Sequence, residues 1–324
     1  MTTIYLHIGM PKTGTTSLQK FLFYNREKLL EKGYLYPIAG TNITSNREPK
    51  GYSHNSLVRV LNQNTNQKGD WISRCEIWEE CKKEIKAIKP EKVIISAEFF
   101  TGPGIYNQDI IAMTKKLLND YDTKIVIYLR RQDEFLRSYY CYLIKFLIRT
   151  DIKEFILQWK YMADYYQTLE LWENVFGLEN IIVKVFEKKQ MKNSNLFHDF
   201  LAAVHLDNEK IDLKSSQKIR ENISIYSGKA IKLINLIDKV MQKIPFQVKK
   251  DRYESYFIRR LILNNTTSKL MSYLPTNFIC TEELLSKQER INILNEFEES
   301  NGLIARKYLG REDGKLFYSS IDEL

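Results

Sequence analysis

The sequence predicts an α/β fold: a P-loop-type parallel β-sheet flanked by helices, followed by a mostly helical C-terminal part. Three observations predict it. Short β-branched apolar runs alternate with amphipathic stretches, the pattern of parallel strands joined by crossover helices. The first run, Ile4 to Ile8, passes directly into a glycine-bounded turn and then a helix. All strand-like runs lie before residue 190, and helical periodicity dominates after it.

The elements follow in order. Ile4–Ile8 reads as a buried strand, residues 9–14 as a turn, and Ser17–Lys32 as one helix with Leu18, Phe21, Leu22, Leu29 and Leu30 on its apolar face. Gly33 is its expected stop. Tyr34–Tyr36 reads as a short strand closed by Pro37, and Ile38–Ser53 as a polar surface loop. Helices are expected at His54–Leu61, Ile72–Ile88, Ile110–Leu118, Asp133–Leu147, Tyr161–Val175 and from Asn195. The remaining strands are Val93–Ser96, Lys124–Leu129 and Ile181–Phe186. Further helices are expected at Ser227–Gln242, Tyr253–Asn264 and Lys287–Lys307. With no linker in view, residues 1–324 read as one domain: a nucleotide-binding α/β core over 1–205 and a helical extension over 206–324 packed on it.

Composition narrows the partners. Hydrophobic residues make up 44% and charged residues 27% of the 324, ordinary globular values. The net charge of +9 favours an anionic ligand. The lysines are scattered, without a basic tail or stripe, so nucleic acid is not expected. The four cysteines form no C-x-x-C pair, and the four histidines complete no metal pattern. No signal peptide and no apolar run of membrane-spanning length is seen, so the expected compartment is a reducing cytoplasm.

The chemistry concentrates in two segments. Gly9-Met10-Pro11-Lys12-Thr13-Gly14-Thr15-Thr16 keeps the frame of the G-x-x-x-x-G-K-[ST] phosphate loop, but Thr15 stands where the lysine should be, and the lysine has moved to Lys12. Backbone N–H groups and the helix N-terminus would hold an oxyanion, with Thr15, Thr16 and Ser17 adding hydroxyls. Lys12 would sit beside the group attached to that anion and neutralise a leaving oxygen. The second segment runs from strand residue Ile125 to Tyr140: Arg130 ends the strand, and Ser138 follows eight residues on, about two helical turns along. An arginine there points into the ligand crevice of an open α/β sheet and can grip a phosphate bidentately. Arg131 and Arg137 read as equally suited to solvated helix charges. With Leu129-Arg130-Arg131 at the strand end, no acidic metal-holding residue follows, and no metal is expected.

These two segments resemble the motifs of sulfotransferases that use 3′-phosphoadenosine-5′-phosphosulfate (PAPS). Pro11-Lys12-Thr13-Gly14-Thr15-Thr16 is similar to their 5′-phosphosulfate loop, and Arg130 with Ser138 to their 3′-phosphate motif. The resemblance covers residues 1–205. It implies PAPS as donor, 3′,5′-adenosine bisphosphate (PAP) as product, and cofactor-binding roles for Lys12, Thr13, Gly14, Thr15, Thr16, Ser17, Arg130 and Ser138. Lys218–Ser224 looks like the basic segment that closes over the nucleotide, with Arg220 its candidate. The acceptor would be a hydroxyl on a carbohydrate or glycolipid, the latter bringing a peripheral membrane contact.

The base has two candidates. Glu98 follows a buried strand, and a carboxylate partly desolvated by Phe99 and Phe100 would suit a base. Its alternative is a structural carboxylate paired with Lys12 or an arginine. His54 is the rival, as base or acceptor contact, against a plain surface histidine. His7 reads as a core residue. Of the 20 tyrosines, Tyr139, Tyr140, Tyr142, Tyr161, Tyr165 and Tyr166 cluster near the second motif, chiefly as packing. Two rival functions remain: an ATP-dependent P-loop kinase, and a non-catalytic nucleotide- or glycan-binding homologue.

Overall fold

The structure is a computed structural model, and it describes residues 1–41, 51–61, 76–102, 108–144, 150–206 and 284–321. Five strands form one all-parallel sheet: β1 (Thr3–His7), β2 (Tyr34–Leu35), β3 (Lys92–Ser96), β4 (Asp122–Leu129) and β5 (Ile181–Val185). Their order across the sheet is β2-β3-β1-β4-β5. Pairing is in register from Thr3↔Lys92 to His7↔Ser96 on one side of β1, and from Thr3↔Asp122 to His7↔Val126 on the other. The three central strands are almost wholly buried, as runs such as Ile4-Tyr5-Leu6 require when both faces are covered. β5 alternates buried and half-buried residues, as befits an edge.

The chain leaves β1 for one side of the sheet and returns to the other at β4. The carboxyl end of β1 is therefore the topological switch point, where open α/β sheets bind ligands. The β1, β3, β4 and β5 ends carry His7, Ser96, Leu129 and Val185 to this edge.

Helices described are α1 (Thr15–Tyr24), α2 (Arg26–Leu30), α3 (Asn55–Arg59), α4 (Glu76–Ile88), α5 (Gln108–Leu117), α6 (Gln132–Ile144), α7 (Ile152–Trp159), α8 (Tyr165–Phe176), α9 (Leu196–Ala203), α10 (Lys287–Glu296) and α11 (Glu298–Leu309). Where one helix was expected over Ser17–Lys32, Asn25 breaks it: its Nδ2 donates to the Phe21 carbonyl at 2.8 Å. A short amide that bonds nearby backbone competes with helix propagation. A second break, at Phe297, divides the expected Lys287–Lys307 helix into α10 and α11. α8 starts later than expected because Asp164 caps it, accepting from the Gln167 N–H at 3.3 Å. The expected helices at Ser227–Gln242 and Tyr253–Asn264 lie outside the described residues.

The described residues group into two compact units. The first comprises residues 1–131, 164–206 and 297–321, and contains the whole sheet. One face of that sheet packs Tyr5, Ile94, Val126 and Tyr128 against Leu18, Phe21 and Leu22 of α1 and Phe200 and Leu201 of α9. On β4 and β5 lies α8, itself covered by α5 and α11.

The second unit comprises residues 132–163 and 284–296. Its polar centre is Arg290, 5% exposed, which donates from Nε to Asp133 Oδ2 at 2.8 Å and from Nη2 to Glu134 Oε1 at 3.1 Å. Around Tyr139 gather Phe135, Phe155 and Trp159, so this tyrosine is packing, as expected. Removing one side of a buried charge pair leaves the other uncompensated. Arg290→Leu is expected to destabilise the fold by about 3–5 kcal/mol, read from urea unfolding followed by circular dichroism.

Candidate functional site

The loop between β1 and α1 continues the sheet before it turns away from it. The Ile8 N–H donates to the Val126 carbonyl at 3.0 Å, and the Ala97 N–H donates to the His7 carbonyl at 2.9 Å. Three residues then adopt positive φ: Gly9 at 53°, Lys12 at 69° and Gly14 at 77°. At Gly9 a Cβ would stand 3.2 Å from the Glu98 backbone, so the β3 corner approaches too closely for a side chain. Lys12 is not glycine, and holding it in the left-handed region costs about 1 kcal/mol or more, which the surroundings must offset.

Those surroundings are specific. Arg130 donates from Nη1 to the Lys12 carbonyl at 2.9 Å. Thr13, buried, donates to the Met10 carbonyl at 2.6 Å. The Thr101 hydroxyl donates to the Gly9 carbonyl. Thr15 donates to Glu98 Oε2 at 2.5 Å. Gly14 gives α1 its cap position in the left-handed region, and the Leu18 N–H donates to its carbonyl at 3.0 Å. Gly14 has no side chain to cap the first turn of α1, so among the described residues that turn's cap leaves its amide donors for another acceptor. Thr16 is exposed and Ser17 half-buried on that turn.

Arg130 leaves the end of β4 half-buried. Its guanidinium carbon lies 5.7 Å from the centre of the Phe186 ring, and Tyr165 donates its hydroxyl proton to the Arg130 carbonyl at 2.7 Å. Phe186 also closes on Gly14, where a Cβ would stand 3.2 Å from the ring. One aromatic side chain thus lies against both the loop and the arginine.

Glu98 is half-buried at the corner after β3, and its partner is a loop hydroxyl rather than Lys12 or an arginine among the contacts described. The corner itself is held from α3. The Phe99 N–H donates to Asn55 Oδ1 at 3.2 Å, and the Arg59 guanidinium lies 4.9 Å from the Phe99 ring.

His54 corrects the expectation of a base or acceptor contact. It is fully buried, and both ring nitrogens are engaged: Nδ1 accepts from the Ser96 N–H at 3.1 Å, and Nε2 donates to the Pro37 carbonyl at 2.9 Å. Burial drives its pKa down to about 4, although the bonds to Pro37 and Ser96 act against that shift. A ring with both nitrogens committed to backbone has no lone pair for a substrate proton, so His54 is a brace for the β3 end.

Arg131 does not form the solvated helix charge expected. It is buried and donates from Nη1 to the Ser319 and Ser320 carbonyls at 2.7 and 3.1 Å. Arg137 donates to Glu134 at 3.1 Å on the surface of α6. Ser138 is half-buried on α6, within the second unit, whereas Arg130 belongs to the first. Arg220 and the segment Lys218–Ser224 lie outside the described residues.

No family model matches the sequence. A protein of Archaeoglobus fulgidus described only as uncharacterized is 30% identical over 221 residues, 68% of this chain and 55% of that protein. The chain thus spans about half the length of the curated relative it matches. The crystal structure of a sulfotransferase from Alicyclobacillus acidocaldarius is similar with a TM-score of 0.41 and 16% identity, over 72% of this chain and 91% of that one.

Three contributors to the site escape sequence reading. Thr101 reaches the loop from 92 residues away. Phe186 sits one residue beyond β5 and reads as the strand's last apolar residue. Tyr165 was visible only as one of many tyrosines. Among the described residues there is no group of acidic, histidine and cysteine side chains suited to hold a metal, and no helix long and apolar enough to cross a membrane.

Proposed function

We propose that this chain is a sulfotransferase that moves a sulfuryl group from PAPS to an acceptor hydroxyl, on a carbohydrate or glycolipid. One observation carries the reading: the displaced Lys12 is wound into the left-handed region, and its carbonyl is bonded by Arg130. The two segments that resemble the 5′- and 3′-phosphate motifs therefore meet at one atom. The residues fit a nucleotide with two separate anionic groups. The uncapped first turn of α1 and the close glycine corners suit an oxyanion, and Arg130 supplies a second cationic contact.

When bound, PAPS supplies an activated sulfuryl group. The chain's residues do the rest. Amides of residues 13–17 and the Thr16 hydroxyl would hold the 5′-phosphosulfate, with Arg130 assigned to the 3′-phosphate. Lys12 would neutralise the charge left on the oxygen of the departing bisphosphate, and Glu98 would take the proton of the acceptor hydroxyl. The hydrogen bond from Thr15 aims the Glu98 carboxylate along the loop. Such chemistry needs no metal. The half-buried site, the net charge of +9 and buried thiols at Cys81 and Cys141 are compatible with a reducing cytoplasm and an anionic donor.

One observation favours a second reading. Glu98 stands two residues beyond β3, the strand beside β1, and bonds a loop hydroxyl. In P-loop nucleotide enzymes an acidic residue and a loop hydroxyl together hold Mg²⁺. Calorimetric titration with PAP and with ATP–Mg²⁺ separates the two. Preferential binding of PAP, unaffected by chelation, is expected. Binding of ATP that requires Mg²⁺, with PAP ignored, transfers the site to a kinase.

A further inference from the structure

The segment Lys315–Ser320 crosses the sheet at the ends of β4 and β5. Glu187, after β5, accepts from the Tyr318 N–H at 2.9 Å and from the Ser319 N–H at 2.7 Å. Arg131, after β4, donates to the Ser319 and Ser320 carbonyls. An acidic side chain takes the strap's N–H groups, and a basic one takes its carbonyls. The strap is fixed further back as well. Gln190 donates to the Leu316 carbonyl at 3.0 Å, and Arg311 donates to the Lys315 and Leu316 carbonyls at 3.0 and 3.1 Å and to Gln190 Oε1 at 2.6 Å. Leu316 itself is buried.

The two clasping residues are the chain neighbours of the two site residues. Arg131 follows Arg130, and Glu187 follows Phe186. A backbone bond from the Phe186 N–H to the Leu129 carbonyl at 2.7 Å ties β4 to β5 beyond the ladder at this point. The strap spans the same two strand ends from outside. It also occupies Arg131, so that Arg130 is the arginine presented beside the loop.

We propose that the strap Lys315–Ser320, clasped by Arg131 and Glu187, is a positioning element that sets Arg130 and Phe186 against the phosphate loop. This rests on the proposed nucleotide site for its functional consequence, but its structural content is independent of any ligand. The clasp is charge-assisted on both sides and part-buried at Ser319, which gives it more weight than a turn held by neutral bonds alone. Burial acts to raise the Glu187 pKa, but hydrogen bonds from Gln190, Tyr318 and Ser319 outweigh it and leave the carboxyl below its ordinary value.

The test uses Glu187→Ala, Glu187→Gln and a chain ending at Phe317, with two readouts. The first is amide exchange at Phe186 without ligand, and the second is calorimetric affinity for PAP. Glu187→Ala is expected to speed exchange at Phe186 and weaken PAP roughly tenfold, the value of one charge-assisted bond. Glu187→Gln, which keeps an acceptor for only one of the two N–H groups, is expected to recover part of both, and the shortened chain to match Glu187→Ala. Unchanged exchange at Phe186 overturns the proposal. So does a lower melting temperature with an unchanged PAP affinity, because the strap would then only stabilise the fold. If the unaltered protein binds no PAP, the donor reading fails. Exchange at Phe186 then still decides whether the strap sets the strand ends.

Discussion

As the pH falls from 7.5 to 5 the protein is expected to lose stability with a slope that steepens below pH 6.5 toward about 3 kcal/mol per pH unit, the limit for two protons taken up on unfolding. The protons belong to His7 and His54, both buried. Burial drives the His7 pKa from 6.5 to about 3, and that of His54 from 6.5 to about 4. The sign follows from the direction. A histidine with a depressed folded pKa is protonated first in the unfolded chain, so stability is full above pH 6.5 and falls as the pH drops below it. The fall continues until each folded pKa is reached, on the order of 8 kcal/mol for the pair by pH 3, comparable with the whole stability of an ordinary domain.

The structure explains why neither ring can accept the charge. Ser96 sits between the two. Its hydroxyl lies 2.8 Å from His7 Nδ1 and accepts from Gln19 Nε2 at 3.2 Å, while its N–H donates to His54 Nδ1. The other ring nitrogen of His7, Nε2, has no hydrogen-bond partner among the described residues, and the ring stands edge-on to Phe200 with centres 5.5 Å apart. A second proton on His54 would displace the Ser96 donor, and a doubly protonated His7 would keep an unpaired N–H in the core. Urea unfolding at fixed temperature, from pH 8 to 5, checks the slope. His7→Leu and His54→Gln should each remove one proton from it. A flat profile would mean that both histidines protonate inside the intact fold.

These same residues show where sequence reading succeeds. Patterns confined to a few neighbouring residues are legible: the buried strands, the glycine frame, Lys12 inside it, and Arg130 at a strand end. His7 was placed in the core because it lies within an apolar run. His54 was not, because its burial depends on Pro37 and Ser96, which the fold brings to it from 17 and 42 residues away. The role of Arg131 stayed open in the sequence for the same reason: its acceptors are 188 and 189 residues further on. Helix ends failed more locally. Asn25 and Phe297 interrupt amphipathic patterns that continue through them, and only the capping geometry reveals the break. The assignment of Glu98 lies between these cases. Its place after a buried strand was visible, but its hydroxyl partner was not.

Arg130→Ala is expected to weaken PAP binding by about two to four orders of magnitude, the loss of two charge-assisted hydrogen bonds at roughly 1.5–3 kcal/mol each. The effect has two sources that a conservative change separates. One is the guanidinium as an anion ligand. The other is its bond to the Lys12 carbonyl, which helps hold Lys12 in a left-handed conformation. Arg130→Lys keeps a positive charge but loses the planar fork, so it cannot grip a phosphate and the loop carbonyl with the same geometry. It should recover only a small part of the affinity. Lys12→Gly isolates the second source. Glycine adopts φ 69° without strain, so the loop keeps its shape while the ammonium is lost. If Lys12 neutralises the leaving oxygen, Lys12→Gly should cut turnover far more than PAP affinity, whereas Arg130→Ala should cut affinity at least as much. Calorimetry and single-turnover sulfation together read both. Equal losses of turnover and affinity in Lys12→Gly would show that the ammonium serves binding alone and leave the leaving oxygen without its assigned cation.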